Sequence, residues 1–142
     1  MANTLYDSAR QLFLEGQLNW LTDDIKVLLI DTAEYTMSVE HTALADIPNV
    51  ARVTSATTLV NKKSTAGAAD ADDATFASVS GPSIEAMVLY RSIPDETDPL
   101  LENEAASTLI AYIDTATGLP IAPNGGDIIV TWDNGINKIF RL

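Results

Sequence analysis

Residues 25–30, with the sequence IKVLLI, form a continuous aliphatic run that is broken only by Lys26. A run of six residues has the length of a strand, and the flanking Asp23-Asp24 and Asp31-Thr32 pairs are typical of turns. We therefore predict a largely buried strand at residues 25–30. The fold class then depends on how many similar segments the rest of the chain contains.

Further strand-like segments follow this run. Thr, Val and Ser are frequent at 51–61 and 74–79, which suits strands with one solvated face. Residues 84–91 alternate, so that Ile84, Ala86, Val88 and Tyr90 share one predicted face and Met87 and Leu89 the other. Another strand is predicted at 109–114, whereas 33–50 is predicted to be a long loop with a helical turn near 41–46.

The C-terminal residues carry a hairpin signal. Segments 127–132 and 136–141 flank Asn134-Gly135, a pair whose residues both accept positive φ in a two-residue turn. That turn predicts Val130 opposite Ile139 and Ile129 opposite Phe140. Both faces of such a hairpin would carry apolar pairs, as in a strand pair inside a sandwich.

The N-terminal residues 4–16 predict a short helix. Thr4 is a candidate N-cap with Asp7 three positions later, and Gly16 suits the residue just past the helix end. One face carries an apolar stripe, formed by Leu5, Ala9, Leu12 and Phe13. A helix of about three turns is marginal alone and must dock through this stripe, on its own domain or on a neighbour.

Seven or eight short strands after one N-terminal helix predict a mainly β fold, an antiparallel β-sandwich or barrel-like domain. A length of 142 residues fits a single domain spanning 1–142. Residues 92–106 contain five acidic residues and no basic one, and we expect them to form an acidic insertion that projects from this domain.

Composition excludes several functional classes. Twenty Asp and Glu against eight Lys and Arg give a net charge of −12, which disfavours binding to nucleic acid or to an anionic membrane. There is no cysteine and a single histidine, His41, so disulfides, thiolate metal sites and most catalytic constellations are excluded. No apolar run approaches the roughly 18 residues of a membrane span, and the first residues lack the pattern of a signal peptide, so we expect no export by that route.

Two groups of polar residues are possible sites of chemistry. His41 lies next to Glu40 and near Asp46, and the favoured interpretation is a surface histidine or a satisfied loop histidine. Asp70, Asp72 and Asp73 resemble the start of a calcium-binding loop, but Thr75 and Gly81 stand where such a loop needs Gly and an acid, so a solvated turn is favoured and a weak calcium site stays open.

The remaining candidates are acidic pairs and tryptophans. Asp23-Asp24 and the acids from Asp95 to Glu104 lack the apolar surroundings that a glycosidase acid needs. The Gly125-Gly126 pair lacks the lysine or the third glycine of a phosphate-binding loop. Trp20 and Trp132 could stack on sugar rings, although Trp132 alternates in phase with core residues, so a core role is favoured there. We therefore predict no catalytic, cofactor or metal residue.

Two blocks of the chain, with a short segment between them, carry a recognisable sequence pattern. The first block runs from Thr4-Leu5-Tyr6-Asp7 through Phe13-Leu14, Gly16 and Trp20 to Asp24-Ile25-Lys26-Val27. The second runs from Leu109-Ile110-Ala111-Tyr112-Ile113-Asp114 through Gly118-Leu119-Pro120, Pro123-Asn124-Gly125-Gly126-Asp127 and Trp132-Asp133-Asn134-Gly135 to Lys138-Ile139-Phe140, with Asp73-Ala74-Thr75-Phe76 between the blocks.

These blocks resemble a family of small structural proteins from the virion gene clusters of tailed bacteriophages. The resemblance implies a virion component without enzymatic activity or cofactor, made in the host bacterial cytoplasm. The favoured role is a capsid decoration, or cement, protein on the capsid exterior. Its expected partners are the major capsid protein or other virion proteins and further copies of itself, for example in a trimer. Alternatives are a tail or head–tail protein, or a carbohydrate-binding module on the virion surface. Within this hypothesis, Leu5, Leu12 and Phe13 are candidate partner-binding residues.

Overall fold

The structure is a computed structural model that describes residues 3–116, 118–133 and 135–142. Its elements, in chain order, are β1 (Thr4–Leu5), α1 (Asp7–Leu14), β2 (Ile25–Ile30), β3 (Thr57–Thr58), β4 (Lys63–Thr65), β5 (Ala68–Asp70), β6 (Ala74–Phe76), β7 (Ala86–Arg91), β8 (Thr108–Ile113), β9 (Ile128–Val130) and β10 (Phe140–Arg141). Two short 3₁₀ turns, Leu44–Asp46 and Asn49–Ala51, lie in the long connection between β2 and β3.

The strands form three antiparallel sheets. The largest has five strands in the order β1-β8-β7-β2-β3, the second has the order β10-β5-β4, and the third pairs β6 with β9. The longest ladder joins β2 to β7, with Ile25 opposite Arg91 and Ile30 opposite Ala86. The protein is therefore mainly β with one short N-terminal helix, as the sequence predicts.

Both faces of the five-stranded sheet are buried, which explains why β2 is apolar along nearly its whole length. On the first face, Val27 and Leu29 belong to a cluster that includes residues of α1, β5, β6 and β9. On the second face, Leu28 and Ile30 pack with residues of the 31–51 connection. The predicted buried strand is confirmed, and the loop predicted over 33–50 covers its second face.

The alternation predicted for β7 is also confirmed, with one exception. Ala86, Val88 and Tyr90 lie in the cluster on the second face, whereas Met87 and Leu89 lie in the cluster on the first. Ile84 precedes the strand and joins the first cluster through an isolated bridge to Ile121. Its side chain therefore does not follow the period of the strand.

The N-terminal helix is shorter than predicted. Thr4 and Leu5 form a strand opposite Tyr112 and Ala111 of β8, and α1 begins at Asp7. Tyr6, in extended conformation, precedes the helix and no side chain caps its N-terminus, so the prediction of Thr4 as N-cap was wrong. Pairing with β8 places Leu5 in the interior. Gly16 has φ +69°, as expected for the residue past a helix end.

The predicted C-terminal hairpin was wrong in its pairing. Val130 lies opposite Ala74 of β6, and Phe140 lies opposite Ala69 of β5, so β9 and β10 belong to different sheets. Asn134, half of the predicted turn, lies outside the described residues. Both segments pair with strands that are distant in sequence, and such tertiary pairings are not revealed by a local turn signal.

The described residues contain ten strands, more than the seven or eight predicted. The additional hairpin is β4–β5, whose connection at Ala66 and Gly67 has φ of 52° and 81°. Its strands are made of small and polar residues, so they carry little of the apolar alternation that identifies a strand. Among the described residues, no helix has the length and apolar character that crossing a membrane requires.

Candidate docking groove

A groove with a volume of about 650 Å³ lies between the two ends of the chain. One wall is formed by β1 and α1, the other by residues 137–142 around β10, and β8 contributes residues 111–113 between them. The elements that meet here come from opposite ends of the sequence. Only the folded sheet arrangement brings them together.

The groove is lined mainly by apolar side chains, and aromatic contacts with neighbouring rings hold Phe140 in place. The ring of Phe140 packs edge-on against Trp20 at 5.3 Å between centroids and lies 6.2 Å from Phe13. Leu14, at the end of α1, lines the groove and is 86% exposed. Such a concave apolar surface with a large exposed side chain is typical of docking sites for other macromolecules.

Both walls end in edge strands. β1 is the outermost strand of the five-stranded sheet, and β10 is the outermost strand of the three-stranded sheet. Each is two residues long, and short edge strands limit uncontrolled strand addition. The groove therefore favours recognition through side chains over the addition of a long strand.

The groove also concentrates positive charge on an acidic protein. Arg10 of α1 and Arg141 of β10 line it, and both residues are exposed. Within the part of the chain that the structure describes, neither guanidinium group takes part in an ion pair, whereas Lys26, Arg52 and Arg91 each lie close to a carboxylate. The groove thus offers two available cations beside an apolar surface.

The three predicted partner-binding residues lie close to this groove but differ in accessibility. Leu5 lines it and is only 9% exposed, because its side chain packs in the core on the first sheet face. Leu12 and Phe13 are half-buried against the same core. The predicted stripe therefore docks α1 on its own domain; Leu5 and Phe13 both pack inward and line the groove, and Phe13 is the more exposed of the two.

His41 belongs to a hydrogen-bonded chain on the opposite side of the sheet. Its Nδ1 lies 2.8 Å from the hydroxyl of Tyr35, which lies 2.9 Å from the hydroxyl of Tyr6. Burial, followed by the hydrogen bond with Tyr35, raises the pKa of Tyr6, so the phenol stays protonated. Asp46 accepts hydrogen bonds from the N–H groups of Thr42 and Ala43, which lower its pKa. His41 is thus a satisfied loop histidine, as the sequence favours.

The acidic pairs considered for catalysis are used structurally. Asp23 Oδ2 accepts a hydrogen bond from the N–H of Asn19 and lies 3.8 Å from Arg91. Arg52 donates to Glu104 at 2.8 Å and lowers the pKa of this carboxyl. A glycosidase needs an acid whose pKa is raised by an apolar pocket, and the displaced carboxyl pKa values here, those of Asp46, Glu85, Asp95 and Glu104, all lie below the ordinary range.

The aspartates at 70, 72 and 73 support the core around the tryptophans. The indole N–H of Trp20 donates to the carbonyl of Asp70, and that of Trp132 donates to the carbonyl of Asp72, both at 3.1 Å. The carboxylate of Asp73 accepts a hydrogen bond from the backbone N–H of Trp132. Among the described residues, no three acidic or histidine side chains are grouped so that they could hold a metal ion.

Both tryptophans and all four tyrosines are buried in the interior. The core role favoured for Trp132 is confirmed, and Trp20 has the same role. None of these rings offers a free face to a sugar, so the residues on which a carbohydrate-binding module would depend are occupied by the fold.

Sequence reasoning identified one wall of the groove and missed the other. The apolar stripe of α1 was visible from its spacing, but Phe140 and Arg141 were assigned to a hairpin with residues 127–132. The missed signal is chemical: Arg141 beside apolar Phe140 and Ile139, on a chain with few cations. No known protein-family model matches the chain, and a search of curated proteins finds no significant match.

Proposed function

We propose that this chain is a non-enzymatic structural protein of a bacteriophage virion and that it acts as a capsid decoration, or cement, protein on the outside of the head shell. The resemblance of its N-terminal and C-terminal blocks to small phage virion proteins supports this role. The proposed partners are the major capsid protein and further copies of the chain. A decoration protein acts by binding other virion proteins, so this role requires a surface that is suited to docking.

The observation that carries the proposal is the groove between α1 and β10. It is open, apolar and flanked by Arg10 and Arg141, so it suits a protein segment better than a small substrate. Repeated contacts of moderate strength, multiplied over many copies, are sufficient to stabilise a shell. A groove of this kind is what a repeating building block needs.

Charge supports the exterior position. The net charge of −12 would be repelled by packaged DNA, and the acids Asp95, Glu96 and Asp98 stand on a loop that does not line the groove. An acidic outer surface with a local cationic groove allows attachment at one place and repulsion elsewhere. This distribution fits a protein that coats a particle without aggregating it.

The test is the location of the protein in particles of the phage, or induced prophage, whose genome encodes it. Density-purified particles are analysed by quantitative mass spectrometry, and antibodies carrying gold label them for electron microscopy. We expect a copy number comparable to that of the major capsid protein and label distributed over the head. Labelling confined to the tail or to the head–tail junction would overturn the decoration role in favour of a tail structural protein. Absence from purified particles would overturn the virion assignment altogether.

A further inference from the structure

The acidic insertion is a closed loop whose base is fixed to the second face of the sheet. Glu102 accepts hydrogen bonds from the hydroxyls of Tyr90 at 2.9 Å and Ser92 at 2.6 Å, and lies 3.5 Å from Lys26. A bridge pairs Pro94 with Glu102 across the base. These contacts define the direction in which the loop leaves the domain.

The tip of this loop presents two leucines to solvent. Leu100 is 94% exposed and Leu101 is 60% exposed. The backbone around them is ordered by hydrogen bonds: the N–H of Leu101 donates to the carbonyl of Asp98, and the N–H of Leu100 donates to its carboxylate. The carboxylate of Asp95 accepts hydrogen bonds from the backbone N–H and the hydroxyl of Thr97. A pre-ordered loop that exposes adjacent leucines loses little entropy when a partner covers them.

The loop tip and the groove are complementary in chemistry. The tip carries Leu100 and Leu101 beside the carboxylates of Asp95, Glu96 and Asp98, a local charge of −3. The groove carries apolar side chains flanked by the two available arginines, Arg10 and Arg141. The apolar side chains of the groove suit the two leucines of the tip, and its arginines suit the carboxylates of the tip. Among the described residues, neither surface meets such a partner within its own chain.

One chain cannot satisfy this complementarity by itself. The loop base is bonded to Tyr90, which packs in the cluster on the second face, and Arg52 holds Glu104 on that side. The groove is built around Phe13 and Phe140, which pack against the cluster on the first face. The loop base thus lies on the second face while the aromatic residues of the groove pack on the first, and no loop residue lines the groove of its own chain, so the contact is assigned to another copy.

We propose that the tip at residues 95–101 of one copy docks in the groove of a second copy of this chain. Leu100 and Leu101 enter the apolar floor, and the tip carboxylates face Arg10 and Arg141. The contact joins two different surfaces, so it is heterologous and builds a closed ring when the rotation between copies closes, and an open chain otherwise. This contact deepens the proposed structural role and rests on it for its place in a particle. The contact itself is tested with the purified protein alone.

The test is sedimentation velocity of the purified full chain, at increasing concentration up to millimolar and at an ionic strength of about 0.15 M, where charges more than about 8 Å apart are largely screened. We expect the sedimentation coefficient of the wild type to rise with concentration. Leu100→Asp removes a leucine that the proposed contact would bury and places a carboxylate against apolar side chains, so we expect self-association to weaken about tenfold or more.

The matched control is Leu21→Asp, which changes another exposed leucine that belongs neither to the loop nor to the groove. It should associate as the wild type does. The groove variant Arg10→Glu/Arg141→Glu should also lose self-association, and Leu14→Asp provides a second groove variant because its side chain is 86% exposed. Circular dichroism and the urea midpoint of each variant establish that it is folded.

A mixing experiment tests the heterologous geometry. Leu100→Asp retains an intact groove and Arg10→Glu/Arg141→Glu retains an intact loop, so the mixture can form one contact per pair and should give dimers without larger species. A wild type that stays monomeric at millimolar concentration, or a Leu100→Asp variant that associates like the wild type, overturns the inference. So does a mixture in which no contact is restored. None of these results bears on whether the protein is found in particles, which the localisation experiment decides.

Discussion

Replacing Tyr35 with phenylalanine should destabilise the protein more than replacing Tyr6, although Tyr6 is the more deeply buried residue. The side chain of Tyr35 is 4% exposed and that of Tyr6 is 0% exposed. The hydroxyl of Tyr6 bonds to that of Tyr35 at 2.9 Å, and the hydroxyl of Tyr35 also bonds to His41 Nδ1 at 2.8 Å. The two tyrosines therefore differ in what each substitution leaves behind.

The magnitudes follow from the partner that remains. In Tyr6→Phe, the hydroxyl of Tyr35 keeps His41, so the cost is that of one hydrogen bond, about 1 kcal/mol. In Tyr35→Phe, the hydroxyl of Tyr6 is left buried without its partner, which adds about 1–3 kcal/mol for the unsatisfied group. Burial raises the pKa of Tyr6, so ionisation does not relieve the loss.

Urea unfolding of the two single variants and of Tyr6→Phe/Tyr35→Phe measures these terms as a double-mutant cycle. The double variant removes the orphaned hydroxyl, so we expect it to be more stable than Tyr35→Phe alone. A Tyr35→Phe variant that is as stable as Tyr6→Phe, with unchanged denaturant slope, would show that the asymmetry derived from the hydrogen-bonded chain is wrong.

Three further predictions concern other parts of the fold. Glu104→Gln should destabilise the protein at neutral pH, and its difference in stability from the wild type should shrink in acid. Arg52 lowers the pKa of Glu104 in the folded protein. The ion pair therefore stabilises the fold at pH values above the ordinary pKa of a glutamate, and this contribution is lost as the pH falls through the lowered pKa. Trp20→Phe should lower stability by about 1–2 kcal/mol in thermal unfolding, because the bond to the carbonyl of Asp70 is lost. Gly67→Ala should cost about 1–2 kcal/mol in urea unfolding, since φ is +81° there while a Cβ meets no atom closer than 3.6 Å.

Each of these predictions has a matched control or a contradicting outcome. Glu96→Gln removes the charge of an exposed acid in the same insertion and is the matched control for Glu104→Gln at neutral pH. A pH-independent effect of Glu104→Gln would exclude the ion pair as its cause. Ala66→Gly, in the same turn as Gly67 and with φ +52°, should not destabilise, and equal losses at the two positions would contradict the role of left-handed backbone. If Trp20→Phe is as stable as the wild type, the hydrogen bond of the indole N–H does not stabilise the fold.

The central strands could be predicted because each carries its own evidence. β2 is a run of six residues with turn residues on both sides, and β7 alternates between two faces that are both buried. In such segments the hydrophobic period is local, so neighbouring residues suffice to identify it. The same reasoning found the apolar stripe of α1, because helical spacing is equally local.

The elements that were predicted wrongly depend on distant partners. The Asn134-Gly135 pair suggested a local hairpin, but β9 pairs with β6 and β10 with β5, both of them short strands rich in small residues. Thr4 and Leu5 looked like a first helical turn, yet β8, more than a hundred residues away, recruits them as an edge strand. A pairing partner with little hydrophobic period cannot be found from sequence spacing alone.

The groove inherits this dependence on long-range contacts, and that has a consequence for how a partner acts on the protein. Its walls are the first and last elements of the chain, and Phe140 contacts Trp20 and Phe13 only while β10 is paired with β5. A partner in the groove therefore binds only molecules in which both chain ends are docked. Mass action then requires that binding stabilises the fold by RT ln(1 + [L]/Kd), about 2.7 kcal/mol at a hundredfold excess over Kd. In the proposed role on a particle, each copy would be held folded by its neighbours, so that the stability of the coat and the stability of the chain would rise together.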